Sequence, residues 1–376
     1  MIYFDNAATG GYKPAEVKDS VTQVIKYLSA NPARSGHRLA LTGAKLISLA
    51  RKEVSSYFGA ENADRVIFTK NCTEALNIAL FGIIKDGMKV LTDVFEHNAV
   101  LRPLYRLERT GKITLTVLSP ESEETLTDEL IEKGKDYDVI VTISACNVTG
   151  KVFDVERLGK AFKGKNKIVV IDGAQGAGHI KYNLAESGIN VFCFSGHKGM
   201  YGITGSGCLI FDNKTEIEPL IFGGTGTDAN AEGMPCSYPE KLEAGTPSLP
   251  AIVSLLEGTL YIKENTEYFA GVTETLTDAL IKKLSAIEGI TLYSKKNKTG
   301  VVSFNVYGED SNLIGDLLNE RYDVAVRCGY HCAPLCHEYI GTKDTGTVRA
   351  SISPHNTVGE INAFVKAVKE ISKNVN

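Results

Sequence analysis

Between residues 65 and 211 the chain alternates short apolar runs with longer stretches in which apolar residues recur every three or four positions. Residues 65–68, 89–91, 113–117, 138–143, 167–171, 191–194 and 207–211 read as strands, and 73–84 and 99–109 as helices. Runs such as 138–143 and 167–171 show little polar alternation, so both faces are expected to be covered, as in a parallel sheet. The alternation predicts an α/β domain with ligands at the carboxyl ends of its strands. Beyond a Gly/Pro-rich passage at 223–250, a long helical pattern starts near Ala251. Helical stretches at about 266–288 and 357–372 then bracket short strands at 301–305, 324–327 and 347–351. The expected division is a large domain of residues 14–250 and a smaller α+β domain of 251–376, onto which residues 1–13 fold back.

Composition narrows the function. At 43% hydrophobic and 23% charged residues, the chain is neither disordered, collagen-like nor a coiled coil. With 41 Lys+Arg against 45 Asp+Glu, no bulk positive field draws nucleic acid or an acidic membrane, so any partner must be recognised locally. Eight scattered cysteines and the absence of a signal-like start lead to the expectation of free thiols and a cytoplasmic location. No apolar stretch approaches the roughly 18 residues of a membrane helix.

Three passages carry chemistry at strand ends. In Ser195-Gly196-His197-Lys198-Gly199 a lysine sits among small residues after an apolar strand. A free lysine has a pKa near 10.4, so only roughly one in a few thousand is neutral at pH 7, and a nucleophilic lysine needs a site that changes this. In Ile171-Asp172-Gly173-Ala174-Gln175 an aspartate ends an apolar strand, where a buried carboxylate calls for a cation such as a protonated pyridine nitrogen. In Thr69-Lys70-Asn71-Cys72-Thr73-Glu74 a strand end, a small polar turn and a helix start offer a phosphate site. Taken singly, a turn lysine and capped helices explain each passage. Together they make pyridoxal phosphate the simplest common explanation.

The chain resembles the class V aminotransferase-fold, pyridoxal-phosphate-dependent enzymes, and within them the cysteine desulfurase and selenocysteine lyase branch. The landmarks are Phe4-Asp5-Asn6-Ala7-Ala8-Thr9, Cys72-Thr73-Glu74-Ala75-Leu76-Asn77, Glu96-His97-Asn98, Asn147-Val148-Thr149-Gly150, Asp172-Gly173-Ala174-Gln175, Ser195-Gly196-His197-Lys198, Glu243-Ala244-Gly245-Thr246-Pro247 and Arg349-Ala350-Ser351. The resemblance implies a fold type I transferase with a mainly parallel, seven-stranded large sheet. It also implies that Lys198 carries the cofactor, Asp172 pairs with its ring nitrogen, Gln175 bonds its ring oxygen and His97 stacks on its face. Asn147 would contact substrate or ring oxygen. Cys72, Thr73, Ser195 and His197 would surround the phosphate, and Arg349 would bind the substrate carboxylate with its planar fork. Thr246 would reach the phosphate of a neighbouring subunit, so a homodimer is implied.

In Arg327-Cys328-Gly329-Tyr330-His331-Cys332-Ala333-Pro334-Leu335-Cys336-His337, Cys332 matches the nucleophile of the second desulfurase group. A free thiol is only a few per cent thiolate at neutral pH, and His331 or Arg327 are the cations expected to help it. The resemblance implies conversion of L-cysteine to L-alanine, a persulfide on Cys332, and a sulfur-acceptor protein, with iron–sulfur cluster assembly as one outlet. Selenocysteine lyase, cystine C–S lyase, class V aminotransferase and a non-enzymatic scaffold are the alternatives. The Cys-x3-Cys-x3-Cys spacing fits neither zinc ribbons nor cluster-binding radical enzymes, so no metal is expected, and Cys328 and Cys336 are read as packing residues or secondary sulfur relays.

Overall fold

The computed structural model describes residues 1–32, 35–227 and 230–375. After Ile2–Tyr3 (β1), seven strands build one sheet: Val66–Thr69 (β2), Lys89–Asp93 (β3), Thr114–Leu118 (β4), Val139–Ile143 (β5), Ile168–Asp172 (β6), Val191–Ser195 (β7) and Gly207–Phe211 (β8). Their order is β2-β8-β7-β6-β5-β3-β4, and only β8 runs antiparallel to its neighbours. The continuous apolar runs are explained by two cores, one on each face. Val66, Leu91, Ile140, Ile143, Val169, Ile171, Phe192, Phe194 and Ile210 fill one core. Their alternates Ile67, Val90, Val139, Val141, Val170, Val191, Cys193, Leu209 and Phe211 fill the other.

The small sheet has the order β12-β13-β10-β9, from Ile290–Leu292 (β9), Val301–Val306 (β10), Arg327–Gly329 (β12) and Thr347–Ser351 (β13). Expected as one strand, 324–327 is two: Val324–Ala325 (β11) pairs in parallel with β1, while Arg327 has moved to β13. The chain changes sheets at Val326, and the apolar pattern runs through the switch. Phe4, fully buried, packs edge-on against Phe364 with ring centroids 5.3 Å apart. The helix expected from Ala251 begins at Leu249, because Pro250 fits the first turn, whose N–H groups have no partner in any case. It packs against the helices Ala15–Tyr27 and Arg38–Tyr57, which periodicity alone did not reveal. No helix among the described residues is long and apolar enough to cross a membrane.

Arg51 in the helix Arg38–Tyr57 grips Glu243 with both arms of its guanidinium, at 2.9 and 2.8 Å, and also donates to the Val66 carbonyl. Glu243 Oε1 accepts from the Phe68 N–H at 2.7 Å, so the pair pins the 243–247 loop to β2. Removing one partner of such a pair strands the other charge at a cost of a few kcal/mol. Arg51→Met is expected to lower unfolding stability by about 3 kcal/mol in guanidinium titration. A loss below roughly 1 kcal/mol, the range of exposed pairs, would contradict this anchoring role.

Candidate active site

Every candidate residue of the large sheet leaves its carboxyl edge. The chain runs from β3 outward to β4 and returns as β5 on the other side of β3, which opens a crevice at that edge. His97 follows β3, Asn147 follows β5, Asp172 ends β6, and Lys198 stands three residues beyond β7. The lysine turn lies against a neighbouring chain segment so closely that side chains are excluded. A Cβ on Gly199 would lie 2.4 Å from the Ala177 carbonyl, and one on Gly178, at φ +83°, 2.1 Å from that of Gly199. Thr9 Oγ1, the Gly10 N–H and Lys13 Nζ all donate to the His197 carbonyl, at 3.2, 2.9 and 3.1 Å, fixing the peptide immediately before Lys198. Burial lowers the Lys13 pKa to about 8.

Among the described residues nothing bonds Lys198 Nζ. Burial pulls its pKa down, Asp172 and Cys72 oppose that shift, and Arg349 and Arg327 reinforce it. Asp172 is buried, and its Oδ1 accepts from the Ala174 N–H at 2.9 Å and the Cys72 thiol at 3.4 Å. Burial raises its pKa, which the Ala174 N–H and Lys198 counter. Its second oxygen accepts nothing from the described residues. Gln175 Nε2 donates to the Ala7 carbonyl at 3.0 Å, tying the N-terminal segment to this edge.

The helix Cys72–Ile83 begins under the Asn71 side chain, which accepts from the Glu74 N–H at 2.9 Å. The Cys72 N–H reaches Ser195 Oγ at 3.4 Å, and Thr73 is exposed at the same helix start. Nδ1 of His197 is buried without a partner among the described residues. Thr246 lies elsewhere, exposed on the rim of a separate cleft with Lys70, Glu74 and Gly207, where it accepts from Asn31 Nδ2 at 3.3 Å.

Cys332 shares a cleft with His97 and Thr73. His331 and Cys332 both hold left-handed backbone, at φ 50° and 61°, a strain of about 1–3 kcal/mol per residue that persists only where neighbours enforce it. Two asparagines do so. Asn147 Nδ2 donates to the His331 carbonyl at 2.6 Å, and the Asn98 N–H to the Cys332 carbonyl at 2.8 Å. Of the two cations expected beside the thiol, only Arg327 serves, with Nη2 at 3.4 Å from Cys332 Sγ. His331 instead bonds Thr347, and burial, aided by Arg349, His337 and Arg327, drives its pKa well down, so it stays neutral. His97 is also neutral at pH 7, its pKa lowered to about 4 by burial and by surrounding cations that include Lys198 and Arg327. Its Nδ1 accepts from the Ala99 N–H at 3.0 Å, which places the ring proton on Nε2.

Arg349 is fully buried. Nη1 donates to the Asn147 carbonyl and Nη2 to Asp5 Oδ1, each at 3.1 Å, while Nε has no partner among the described residues. The Asp5 partnership was not foreseen: Asp5 stood in a landmark, but nothing in sequence joins residues 344 positions apart. The two cysteines that flank Cys332 each meet close neighbours. Cys336 is buried with its Sγ 3.7 Å from that of Cys146, and a Cβ on Gly315 would lie 2.3 Å from Cys328 Sγ.

Residues 2–364 match the family described as Aminotransferase class-V. The chain belongs to that family. A relative from Pyrococcus abyssi, named "Probable cysteine desulfurase", is 32% identical over 392 residues, covering 100% of this chain and 95% of the relative. A solved apo structure of a cysteine desulfurase from Thermococcus onnurineus is 30% identical, with a TM-score of 0.91 over 99% of this chain and 95% of that one. Another, an Escherichia coli cysteine desulfurase in an S-sulfonic acid form, is 25% identical with a TM-score of 0.87, over 99% and 94% respectively. The large mixed, mostly parallel sheet and the smaller antiparallel one agree with the fold type expected of a class V chain.

Asp5 offsets the charge of the buried Arg349 in this class V chain, so the two should be energetically coupled. Asp5→Asn is expected to cost about 2–3 kcal/mol in a wild-type background and far less beside Arg349→Met. A coupling energy below about 0.5 kcal/mol in that double-mutant cycle would show the pair to be incidental.

Proposed function

We propose that this chain is a pyridoxal-phosphate-dependent cysteine desulfurase that converts L-cysteine to L-alanine and leaves the sulfur on Cys332 as a persulfide. The observation that carries the reading is the held Cys332 turn: a thiol with a guanidinium 3.4 Å away, sharing a cleft with His97 and Thr73. The sequence and structural kinship to proteins named cysteine desulfurases supports the same reading.

The donor set fits the cofactor. Among the described residues Lys198 offers an amine without a partner, Asp172 an open carboxylate oxygen for a ring N–H, and Asn147 a buried Oδ1 without a partner. The Ser195 hydroxyl, His197 Nδ1 and the start of the helix Cys72–Ile83 would hold the phosphate, with Thr246 supplied across a homodimer. Bound there, pyridoxal phosphate supplies the electron sink that makes the substrate Cα–H acidic.

The protein's own groups do the rest. Arg349 would take the substrate carboxylate through Nε, with Asp5 and the Asn147 carbonyl holding the fork in place. Neutral His97 would cover the ring face without adding charge. The lowered basicity of Lys198 raises its neutral fraction, so Nζ can accept the Cα proton and return it. Cys332 thiolate would attack the substrate sulfur as the Cβ–S bond breaks, and a proton gained at Cβ completes alanine. The sum is cysteine plus thiol giving alanine plus persulfide.

With cysteine and dithiothreitol, Cys332→Ala is expected to lose alanine formation by on the order of 10³-fold. It should nevertheless retain a cysteine-induced change in the cofactor's visible spectrum. Lys198→Ala should lose both the activity and the borohydride-fixed cofactor label. Undiminished alanine production by Cys332→Ala would contradict the reading, and alanine from selenocysteine alone would replace it with a selenocysteine lyase.

A further inference from the structure

The helix Asn98–Arg109 starts at the nucleophile, its first N–H bonded to the Cys332 carbonyl at 2.8 Å, and runs away from it. Its exposed arginines are Arg102, Arg106 and Arg109. At 100° per residue these three fall within a sector of about 60°, with Tyr105 about 40° and the exposed Glu108 about 100° outside it. Arg102 and Arg106 line the Cys332 cleft, and all three line an adjoining depression with Tyr105 and Thr110.

None of the three has an ion-pair or side-chain hydrogen-bond partner among the described residues. Exposed Arg157 is paired with Asp128 and half-buried Arg65 with Glu216, whereas Arg38 and Arg321 are, like the three, exposed without an ion pair among the described residues; what sets the three apart is their alignment beside the Cys332 cleft. Glu338 of the helix Pro334–Tyr339, whose charge acts on Tyr105, is already held by Lys343 at 2.8 Å. Cations in the last turn suit the helix dipole, which accounts for Arg106 and Arg109 individually. It accounts neither for Arg102 nor for their alignment with the cleft.

We infer that this arginine ridge is a docking surface for an acidic, thiol-bearing protein that discharges the Cys332 persulfide. The inference rests on the desulfurase reading and names its partner. The acceptor thiolate attacks the outer sulfur, the S–S bond breaks with its electron pair leaving on Cys332 Sγ, and the acceptor departs as the persulfide. No further oxidant or reductant is needed. The ridge spans about 10 Å at 1.5 Å per residue, longer than a small anion needs, and Arg109 lies outside the Cys332 cleft. Those features favour an extended acidic segment over an inorganic acceptor.

The test loads the holoenzyme with sulfur from cysteine, removes excess substrate and follows discharge. The probes are single-cysteine peptides flanked by Asp/Glu, by Lys or by Ser, with sulfite as a small anion. The acidic peptide should discharge the enzyme at least about tenfold faster than the basic one at low salt, and the advantage should shrink as salt rises. Arg106→Gln/Arg109→Gln should abolish the advantage while leaving dithiothreitol-driven alanine formation unchanged, and Arg106→Glu/Arg109→Glu should reverse it. Equal rates for all peptides, an advantage that survives both variants, or acceleration by sulfite but not by the acidic peptide would overturn the proposal. Absence of alanine even with dithiothreitol in the wild type would instead overturn the desulfurase reading beneath it.

Discussion

The site depends on one residue that joins two sheets. Asn147, four residues beyond the end of β5, gives its backbone carbonyl to the Arg349 guanidinium and its side-chain amide to the His331 carbonyl. Arg349 belongs to β13 of the small sheet, and His331 to the turn that follows β12. The large sheet thus fixes both the cation on which carboxylate binding is proposed to depend and the strained turn that presents Cys332. Two successive left-handed residues would relax in an unsupported loop. The bonds from Asn147 and Asn98 keep the turn in place, which is how its backbone strain survives.

The first thirteen residues form a second set of ties. Asp5 offsets the buried charge of Arg349, Ala7 holds the Gln175 amide, and Thr9, Gly10 and Lys13 converge on the carbonyl that precedes Lys198. β1 adds a strand to β11 and Phe4 enters the small core. A short segment therefore touches the lysine turn, the edge of β6 and the small sheet together, so movement of any one is felt by the others.

Much of this was legible in the sequence because the signals were local. Continuous apolar runs reported a sheet covered on both faces, and Asp172 and Lys198 stood just where such strands end. What the sequence hid was either long-range or dependent on backbone conformation. The Asp5–Arg349 pair spans nearly the whole chain, and the left-handed turn at His331 and Cys332 occurs at residues that do not announce it as glycine would. His331 looked like a cation beside the thiol because it is adjacent in sequence, but burial keeps it neutral and leaves that role to Arg327. The helices Ala15–Tyr27 and Arg38–Tyr57 were missed because exposed apolar residues such as Ile25, Leu41 and Leu49 blur their periodicity.

The central claim is that the strained turn exists to make Cys332, alone among eight thiols, the recipient of substrate sulfur. The most direct measurement is mass spectrometric mapping of the enzyme after a single turnover with cysteine in the absence of reductant, followed by alkylation. The account predicts one additional sulfur on the peptide that contains Cys332, in amounts matching the alanine released. Alanine without added sulfur on that peptide, or the sulfur first on Cys328, Cys336 or Cys146, would contradict it.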